Sequence, residues 1–257
     1  MDLKNKVTVV TGGAQGVGKN LVEMHLKNGS KVAIIDVDKL QGEELKEALD
    51  KEYGPDRVEF FAADVSSHDE FSGAFKKIEE RFGRIDIMYN NAGIINEVNW
   101  EKMVAVNLVG VIKGTYLALE HMKENNEGVI VNISSIAGIY GMPMTPVYTA
   151  TQYAVVGFSR AIAAALKLTN TGMRINVICP GFVNTGILSA QNIEENIGEL
   201  FKLKEIAEKW IERNGILDVD DVVRAALALV RDESKNGDVL KVTTDGLDYI
   251  SFPELAC

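Results

Sequence analysis

Three glycines fall within the segment Thr11 to Gly18, which has the sequence TGGAQGVG and joins a strand-like run to a helical one. Gly12, Gly16 and Gly18 would permit a tight turn and a close approach of the backbone to a phosphate group. The N-terminus of a helix also offers unpaired N–H groups to a pyrophosphate. Strand, turn and helix together predict a dinucleotide site, with a purely structural turn as the alternative.

A carboxylate at the end of the second strand-like run indicates which dinucleotide would bind. Asp36 follows Gly18 by eighteen residues, close to the spacing at which a carboxylate meets the adenine ribose hydroxyls. It would repel the extra phosphate of NADP, and no basic residue follows before Lys39, so the pattern favours NAD. The alternative is that Asp36 only starts a turn. Asp64 and Val65 occupy a similar edge position and are predicted to contact adenine, although helix capping is an equal alternative for Asp64.

The segments around these residues alternate between short apolar runs and longer amphipathic stretches, which is typical of a parallel sheet covered by helices. Strands are predicted at Lys6 to Thr11, Lys31 to Asp36, Val58 to Ala62, Ile85 to Tyr89, Gly128 to Ile133, Arg174 to Cys179 and Asp238 to Val242. Helices are predicted at Gly16 to Lys27, Leu40 to Glu52, Asp69 to Phe82, Glu101 to Lys123 and Tyr148 to Lys167.

The run from Ile187 to Ile216 interrupts this alternation with two helical patterns and no strand. We interpret it as a helical lid above the carboxyl edge of the sheet, where ligands of such sheets bind. The expected fold is therefore α/β: one Rossmann-type domain over residues 1–257, with a doubly wound parallel sheet, three layers and a small lid.

Composition excludes several classes of protein. The 257 residues are 46% hydrophobic and 25% charged, which is ordinary for a globular chain. A formal charge of −10 disfavours nucleic acid and anionic membranes as partners. No segment is expected to reach the apolar length of a membrane span. The three histidines, His25, His68 and His121, are far apart, so we expect no metal site.

The cellular compartment is inferred from the cysteines and the first residues. Cys179 and Cys257 are the two cysteines, too few for a disulfide framework. The opening MDLKNKVTVV has no long apolar region before a cleavage site. We therefore expect a cytoplasmic protein.

The motifs resemble those of the short-chain dehydrogenase/reductase family in order and spacing. They are TGGAQGVG, Asn90-Asn91-Ala92-Gly93, Asn107, Ser134-Ser135, Tyr148 and Pro180-Gly181. Within that family the chain most resembles the NAD-dependent 15-hydroxyprostaglandin dehydrogenase branch. That likeness rests on NWEK at 99–102, PVY at 146–148, ICPGFVNT at 178–185 and GILD at 215–218.

The resemblance implies a catalytic set of asparagine, serine, tyrosine and lysine. The tyrosine would exchange a proton with the substrate hydroxyl, and the serine would polarise the substrate oxygen. Asn107, Ser135 and Tyr148 match their positions, but the position of the lysine holds Gln152. Taken singly, each residue has a structural alternative: a serine that caps the backbone, an interface tyrosine, and an asparagine amide that holds a water or a backbone group.

The resemblance also implies the residues that contact cofactor and substrate. NAD would contact Gly12, Gln15, Gly16, Val17, Gly18, Asp36, Val37, Asp64, Val65, Asn91, Ala92, Gly93, Tyr148, Gln152, Pro180, Gly181, Val183 and Thr185. Substrate would contact Ser135, Thr145 and Tyr148. Thr145 stands where that branch would have a glutamine, and Asn214 stands where it would have an aromatic residue, so specificity for a prostaglandin is not expected.

The replacement at Gln152 has a physical consequence that needs no family comparison. Residues four apart share a helix face, so the side chain at 152 lies beside the Tyr148 phenol. A free tyrosine has a pKa near 10, too high for an efficient base at neutral pH. A cation about 5 Å away would lower it by roughly two units, at an effective dielectric near 20. Glutamine supplies no charge, although its amide can still hydrogen-bond the nicotinamide ribose.

Two partners are expected. Apolar lid residues could line a cleft for a hydrophobic ligand or could simply pack the lid on the body; they are Ile187, Leu188, Ile193, Ile197, Leu200, Phe201, Leu203, Ile206 and Trp210. The resemblance implies a homodimer through the helices Glu101 to Lys123 and Tyr148 to Lys167. The expected function is that of an NAD-dependent oxidoreductase acting on a hydrophobic secondary alcohol or ketone. The alternative is an inactive protein that binds NAD, an apolar molecule or both.

Overall fold

The computed structural model describes residues 1–185 and 193–253. Within these residues the strands form one eight-stranded sheet with the order β3-β2-β1-β4-β5-β6-β7-β8. The strands are β1 (Val7–Thr11), β2 (Lys31–Asp36), β3 (Val58–Ala62), β4 (Ile87–Asn90), β5 (Glu127–Ile133), β6 (Gly172–Pro180), β7 (Val239–Thr243) and β8 (Gly246–Tyr249). All neighbours pair in parallel except β7 and β8, which are antiparallel.

Helices follow most of the strands. They are α1 (Gly16–Lys27), α2 (Lys39–Tyr53), α3 (His68–Phe82), α4 (Trp100–Val104), α5 (Val111–Lys123), α6 (Pro146–Leu168), α7 (Ile193–Ile197), α8 (Lys204–Asn214) and α9 (Val219–Arg231). A π-helical segment at Ala105–Gly110 joins α4 to α5, and a 3-10 segment at Gly198–Leu203 joins α7 to α8. The predicted doubly wound parallel sheet is confirmed.

Alternation along each strand divides the core into two layers. Val10 and Ile34 belong to a cluster that includes Leu21 of α1 and residues of α9. Their neighbours Val9 and Ile35 belong to a second cluster with residues of α3, α5 and α6. Successive side chains of a strand point to opposite faces, so one sheet supports helices on both sides.

The order of the strands fixes where a ligand can bind. Chain order runs outward from β1 through β2 to β3 on one side and from β4 onward on the other. The carboxyl ends of β1 and β4 therefore flank the crevice at which such sheets bind their ligands. The glycine-rich turn leaves β1 at this edge.

Two elements are absent from the sequence prediction. Helix α9 has acidic residues in its first turn and a buried apolar face that includes Val222 and Leu229. Strand β8 is short, exposed along its length and antiparallel to β7. It was missed because the predicted pattern was one of apolar parallel strands.

One expectation from composition is wrong. The helical run Trp100–Lys123 is long and apolar enough to span a membrane by length and mean hydropathy alone. In this fold it is a core helix, because Val106, Ala118 and Met122 are buried in the layer packed on the sheet. Burial against the sheet accounts for part of its apolar character, since 44% of its most apolar window is buried.

Candidate active site

The predicted site residues meet in one cavity at the carboxyl edge of the sheet. The cavity has a volume of about 830 Å³ and is lined by every predicted cofactor, catalytic and substrate residue except Gly18. Their roles remain predictions, but their proximity is a property of the fold. Within residues 1–185 and 193–253, no group of three or more His, Cys, Asp or Glu side chains is placed to hold a metal ion.

The glycine turn is built for close backbone packing. Gly12 and Gly16 have φ values of +62° and +55°, which favour glycine. A Cβ on Gly12 would lie 2.9 Å from the Cα of Ala92, and one on Gly18 would lie 2.0 Å from the carbonyl oxygen of Gly12. Gly18 therefore packs α1 against the turn instead of lining the cavity. Gln15, the residue that precedes α1, makes no side-chain capping hydrogen bond, which fits a phosphate-bearing ligand.

Asn91 ties the end of β4 to this turn. Its side-chain amide donates to the carbonyl oxygens of Thr11 and Gly12 at 3.0 and 3.1 Å. The Thr11 hydroxyl in turn accepts from the backbone N–H groups of Asn91 and Ala92. The turn is thus held in place by side chains from two neighbouring strands.

Two carboxylates, Asp36 and Asp64, lie along the cavity wall and have different hydrogen-bond partners. Asp36 accepts from the backbone N–H groups of Ala14 and Asp38 at 2.9 and 3.0 Å, so it is fixed beside the glycine turn. Asp64 accepts from Lys102 at 2.6 Å and from Ser66. Burial acts to raise the pKa of Asp64, but these hydrogen bonds outweigh it and hold the pKa below its ordinary value. Ser67, not Asp64, caps α3.

Asn107 lies in the π-helical segment, and its side chain makes two hydrogen bonds to the loop after β4. Its side-chain oxygen accepts from the Ile94 backbone N–H at 2.9 Å, and its side-chain nitrogen donates to the Ile94 carbonyl at 2.8 Å. The prediction that the amide holds a backbone group agrees with this geometry. A π-helical turn within an α-helix often marks a functional position.

Ser135 and Tyr148 form the hydroxyl pair of the cavity. The Ser135 hydroxyl accepts from the Ala137 backbone N–H at 3.1 Å and interacts with the phenol of Tyr148. Burial raises the pKa of Tyr148 to about 12. The interaction with the Ser135 hydroxyl opposes this shift, and the Cys179 thiol adds to it. The phenol is therefore protonated at neutral pH unless a cation is brought close to it.

Gln152 lies one turn beyond Tyr148 on α6 and is buried. Its side-chain nitrogen donates to the Thr151 hydroxyl at 3.3 Å. Among the described lining residues Lys102 is the single basic one, and its amine is paired with Asp64. Lys113 donates to the Ser66 carbonyl instead. Among these residues no cation replaces the missing lysine.

The loop of residues 94–99, the second part of the connection from β4 to α4, makes contacts that sequence analysis missed. The carboxylate of Glu97 accepts from the backbone N–H groups of Val147 and Tyr148, at the start of α6. In the same loop, the side-chain amide of Asn96 and the backbone N–H of Val98 both donate to Asn196 of α7. The loop therefore touches both the tyrosine helix and the lid.

The lid lines the cavity in part. Ile193, Ile197, Ile206 and Trp210 face it, whereas Leu200, Phe201 and Leu203 are not among its lining residues. The predicted positions Ile187 and Leu188 lie outside the described residues. Sequence analysis also missed two parts of the wall. The segment 140–144 contributes Tyr140, Met142, Pro143 and Met144. Phe182 also lines the cavity, and its ring packs against that of Trp210 at a centroid distance of 5.4 Å. The apolar side chains of 140–144, directly before the predicted Thr145, were the available signal.

The sheet, the glycine turn and the Ser135–Tyr148 pair are the features of a nucleotide-dependent oxidoreductase of the short-chain type. The family model described as short chain dehydrogenase matches residues 6–196. The chain belongs to the short-chain dehydrogenase family, which confirms the resemblance drawn from the motifs.

Within that family it is similar to 15-hydroxyprostaglandin dehydrogenases [NAD(+)]. It is 42% identical to the one from Homo sapiens over 95% of this chain and 93% of that protein. Identity to the one from Rattus norvegicus is 40%, over 100% of this chain and 99% of that protein.

Two solved structures are similar to this chain in fold. A short chain dehydrogenase/reductase from Burkholderia phymatum in complex with NAD superposes with a TM-score of 0.81 at 25% identity, covering 91% of this chain and 88% of that one. Levodione reductase gives a TM-score of 0.82 at 29% identity, covering 93% and 96%.

Proposed function

We propose that the protein is an NAD-dependent oxidoreductase that interconverts a hydrophobic secondary alcohol and its ketone. The observation that carries the proposal is that Ser135 and Tyr148 share one cavity with the glycine turn and Asp36, where the Ser135 hydroxyl interacts with the Tyr148 phenol. Relatives with NAD(+) in their names, and a solved relative in complex with NAD, support the choice of cofactor.

The residues would divide the work as follows. The glycine turn and the N-terminus of α1 would hold the pyrophosphate, and Asp36 would accept hydrogen bonds from the adenine ribose. Bound NAD supplies the hydride acceptor. Ser135 would donate a hydrogen bond to the substrate oxygen, while the Tyr148 phenolate takes the hydroxyl proton. Asn107 keeps the backbone at Ile94 in place behind them.

A second candidate, a protein that binds NAD and an apolar molecule without turnover, is favoured by one observation. Gln152 is buried where the family pattern has its lysine, and the pKa of Tyr148 is raised to about 12 instead of lowered. A base of that pKa is largely protonated at neutral pH, and so the proton transfer slows. We rank the oxidoreductase first because the rest of the catalytic set is in place.

Thr145 argues against a prostaglandin as the substrate. It is buried, lines the cavity and precedes α6, at the position where the 15-hydroxyprostaglandin dehydrogenase pattern has a glutamine. Asn214 donates to the Trp210 carbonyl at the end of α8, so it shapes the lid without lining the cavity. The proposal therefore names an apolar alcohol and not that particular lipid.

The test is formation of NADH by purified protein supplied with NAD and a panel of apolar secondary alcohols. We expect slow turnover above the buffer rate. Silence across the panel, in protein shown by calorimetry to bind NAD, would refute the oxidoreductase and leave the binding protein. Turnover that appears only in Gln152→Lys, and not in the uncharged control Gln152→Met, would trace the loss to this one side chain.

We also propose a homodimer in the cytoplasm. Tyr116 of α5 and Tyr153 of α6 are about half exposed, and the former lies edge to face against Phe158 at 6.0 Å. An aromatic surface on two long helices suits contact with a second copy. Sedimentation of the purified protein would measure the stoichiometry, and a monomer at all concentrations would contradict it.

A further inference from the structure

We infer that the substrate of this cavity carries no charge: an apolar secondary alcohol or ketone without a carboxylate. The inference rests on the proposed function and narrows it. It comes from the charges of the residues that form the wall.

The wall formed by the lid and by residues 140–145 is apolar. Its side chains include two methionines, three isoleucines and Trp210, and its polar members are Tyr140, Thr145 and Asn196, none of which is basic. Asn196 accepts from the side chain of Asn96 through its own side-chain oxygen. The described residues that line this wall offer an anion no cationic partner. Lys241, which interacts with the Tyr140 hydroxyl, does not line the cavity and is paired with Asp248 at 3.1 Å.

The charged lining residues lie with the predicted cofactor contacts and are already engaged. Asp36 holds the backbone beside the glycine turn, and Asp64 holds Lys102. Lys102, the one basic lining residue in the described part of the chain, also donates to the Ser66 hydroxyl at 2.8 Å. An anionic substrate would have to break this ion pair to obtain a counterion.

The two segments outside the described residues contain no basic residue. Residues 186–192 have the sequence GILSAQN and residues 254–257 the sequence ELAC, neither with a lysine, arginine or histidine. Over 193–214, six acidic residues outnumber four basic ones. Residues 193–214 of the lid therefore carry no net positive charge.

Desolvating a carboxylate without a partner is strongly unfavourable, whereas an ester or a hydrocarbon at the same position gains from burial. The net charge of −10 also lowers the local concentration of anions around the protein. Both effects favour the neutral member of a pair of substrates that are otherwise alike.

Ricinoleate and methyl ricinoleate are such a pair: each has one secondary hydroxyl on a long chain, and only the former is charged at neutral pH. We would measure the binding of each to the NAD-saturated protein by calorimetry, below the concentrations at which they form micelles, and NADH formation alongside. Tighter binding of the ester by at least tenfold is the expected result. Equal affinities, tighter binding of the acid, or failure of both to bind would overturn the inference. Binding of the ester without NADH formation would leave the inference standing and count against the oxidoreductase.

Substitution in the lid provides an independent check. Ala207 of α8 lines the cavity, so Ala207→Arg introduces a cation into the apolar wall, and Ala207→Gln introduces a polar chain without charge. We expect the arginine to reduce or invert the preference for the ester and the glutamine to leave it. An unchanged ratio in both variants, in protein that still binds NAD, would show that charge at this wall does not select the substrate.

Discussion

The carboxylate of Glu97 accepts a hydrogen bond from the backbone N–H of Tyr148 at 2.8 Å, although the two residues are 51 positions apart. It also accepts from Val147 at 3.1 Å. Pro146 has no N–H to donate, and Thr149 donates to the Thr145 carbonyl, so Glu97 completes the hydrogen bonding of the first turn of α6. A negative charge at a helix N-terminus also interacts favourably with the helix dipole.

Removing this carboxylate should destabilise the turn that carries Tyr148. We expect Glu97→Ala to lower the free energy of unfolding by about 1–2 kcal/mol, the usual effect of losing a helix cap, and the Tm by at least roughly 2 °C. Glu97→Gln keeps one acceptor oxygen and should lose less. Thermal denaturation measures both, with Glu44→Ala on the exposed face of α2 as control. If the two alanine variants melt alike, the cap contributes nothing.

The pH dependence of alcohol oxidation should report the charge at position 152. Because the pKa of Tyr148 is raised to about 12, kcat/KM of the natural chain at saturating NAD should rise through the whole range from neutral to alkaline pH. Gln152→Lys should move the profile down by about two units. Bound NAD contributes the same charge to both proteins, so it does not affect the comparison. A profile of the natural chain that is level near neutral pH would contradict the assigned state of Tyr148.

A buried histidine behind the sheet edge predicts acid sensitivity. His25 is fully buried between the hydroxyls of Thr8, Ser30 and Tyr89, at 3.0, 3.2 and 2.9 Å from its ring nitrogens. Burial lowers the pKa of His25 to about 3, with a further contribution from Arg231. The folded state therefore holds the neutral ring.

The direction in which stability changes with pH follows from the pKa values of His25 in the unfolded and folded states. In the unfolded chain the value is near 6.5 and in the folded protein about 3, so stability is fully present above about pH 6.5 and falls as the pH drops toward 3. Between pH 8 and pH 5 the loss should be about 2 kcal/mol. Urea unfolding at both pH values would measure it. His25→Gln should have a lower free energy of unfolding at pH 8 but should lose less of it on acidification. The exposed His68→Gln should behave as the natural chain. If the free energy of unfolding changes equally with pH in all three proteins, His25 is not the cause.

The packing of Gly18 predicts a local loss of cofactor binding. A methyl group there would meet the Gly12 carbonyl oxygen at 2.0 Å, a distance that requires the backbone of the turn to move. We expect Gly18→Ala to weaken NAD binding at least tenfold. Gly73→Ala on α3, where a Cβ meets nothing within 4 Å, should bind NAD normally. Calorimetry would decide, and normal affinity in Gly18→Ala would show that the turn tolerates the shift.

Sequence was sufficient for features with local causes. The glycine turn and the buried strands each depend on residues close together in the chain, and their spacing indicates their structure. Helix α9 was missed although Asp220 and Asp221 mark its first turn, because the prediction looked for a strand after the lid. That signal was present in the sequence.

Other features have no local cause. Glu97 and Val147 are 50 residues apart and Asn96 and Asn196 are 100 apart, so no periodicity connects them. Ser135 and Tyr148 were assigned to one catalytic set through the family pattern, but the pKa of Tyr148 depends on burial that only the folded cavity creates. Contacts of this kind follow from the path of the chain in three dimensions.

The loop of residues 94–99 has a consequence for the engineering of this scaffold. It is bonded to Asn196 in the lid on one side and to the first turn of α6 on the other. A lid grafted from a relative to change specificity would lose its partners at Asn96 and Val98 unless the loop were transferred with it. To exchange substrate selectivity between relatives without loss of turnover, the lid and the loop of residues 94–99 should therefore be transferred together.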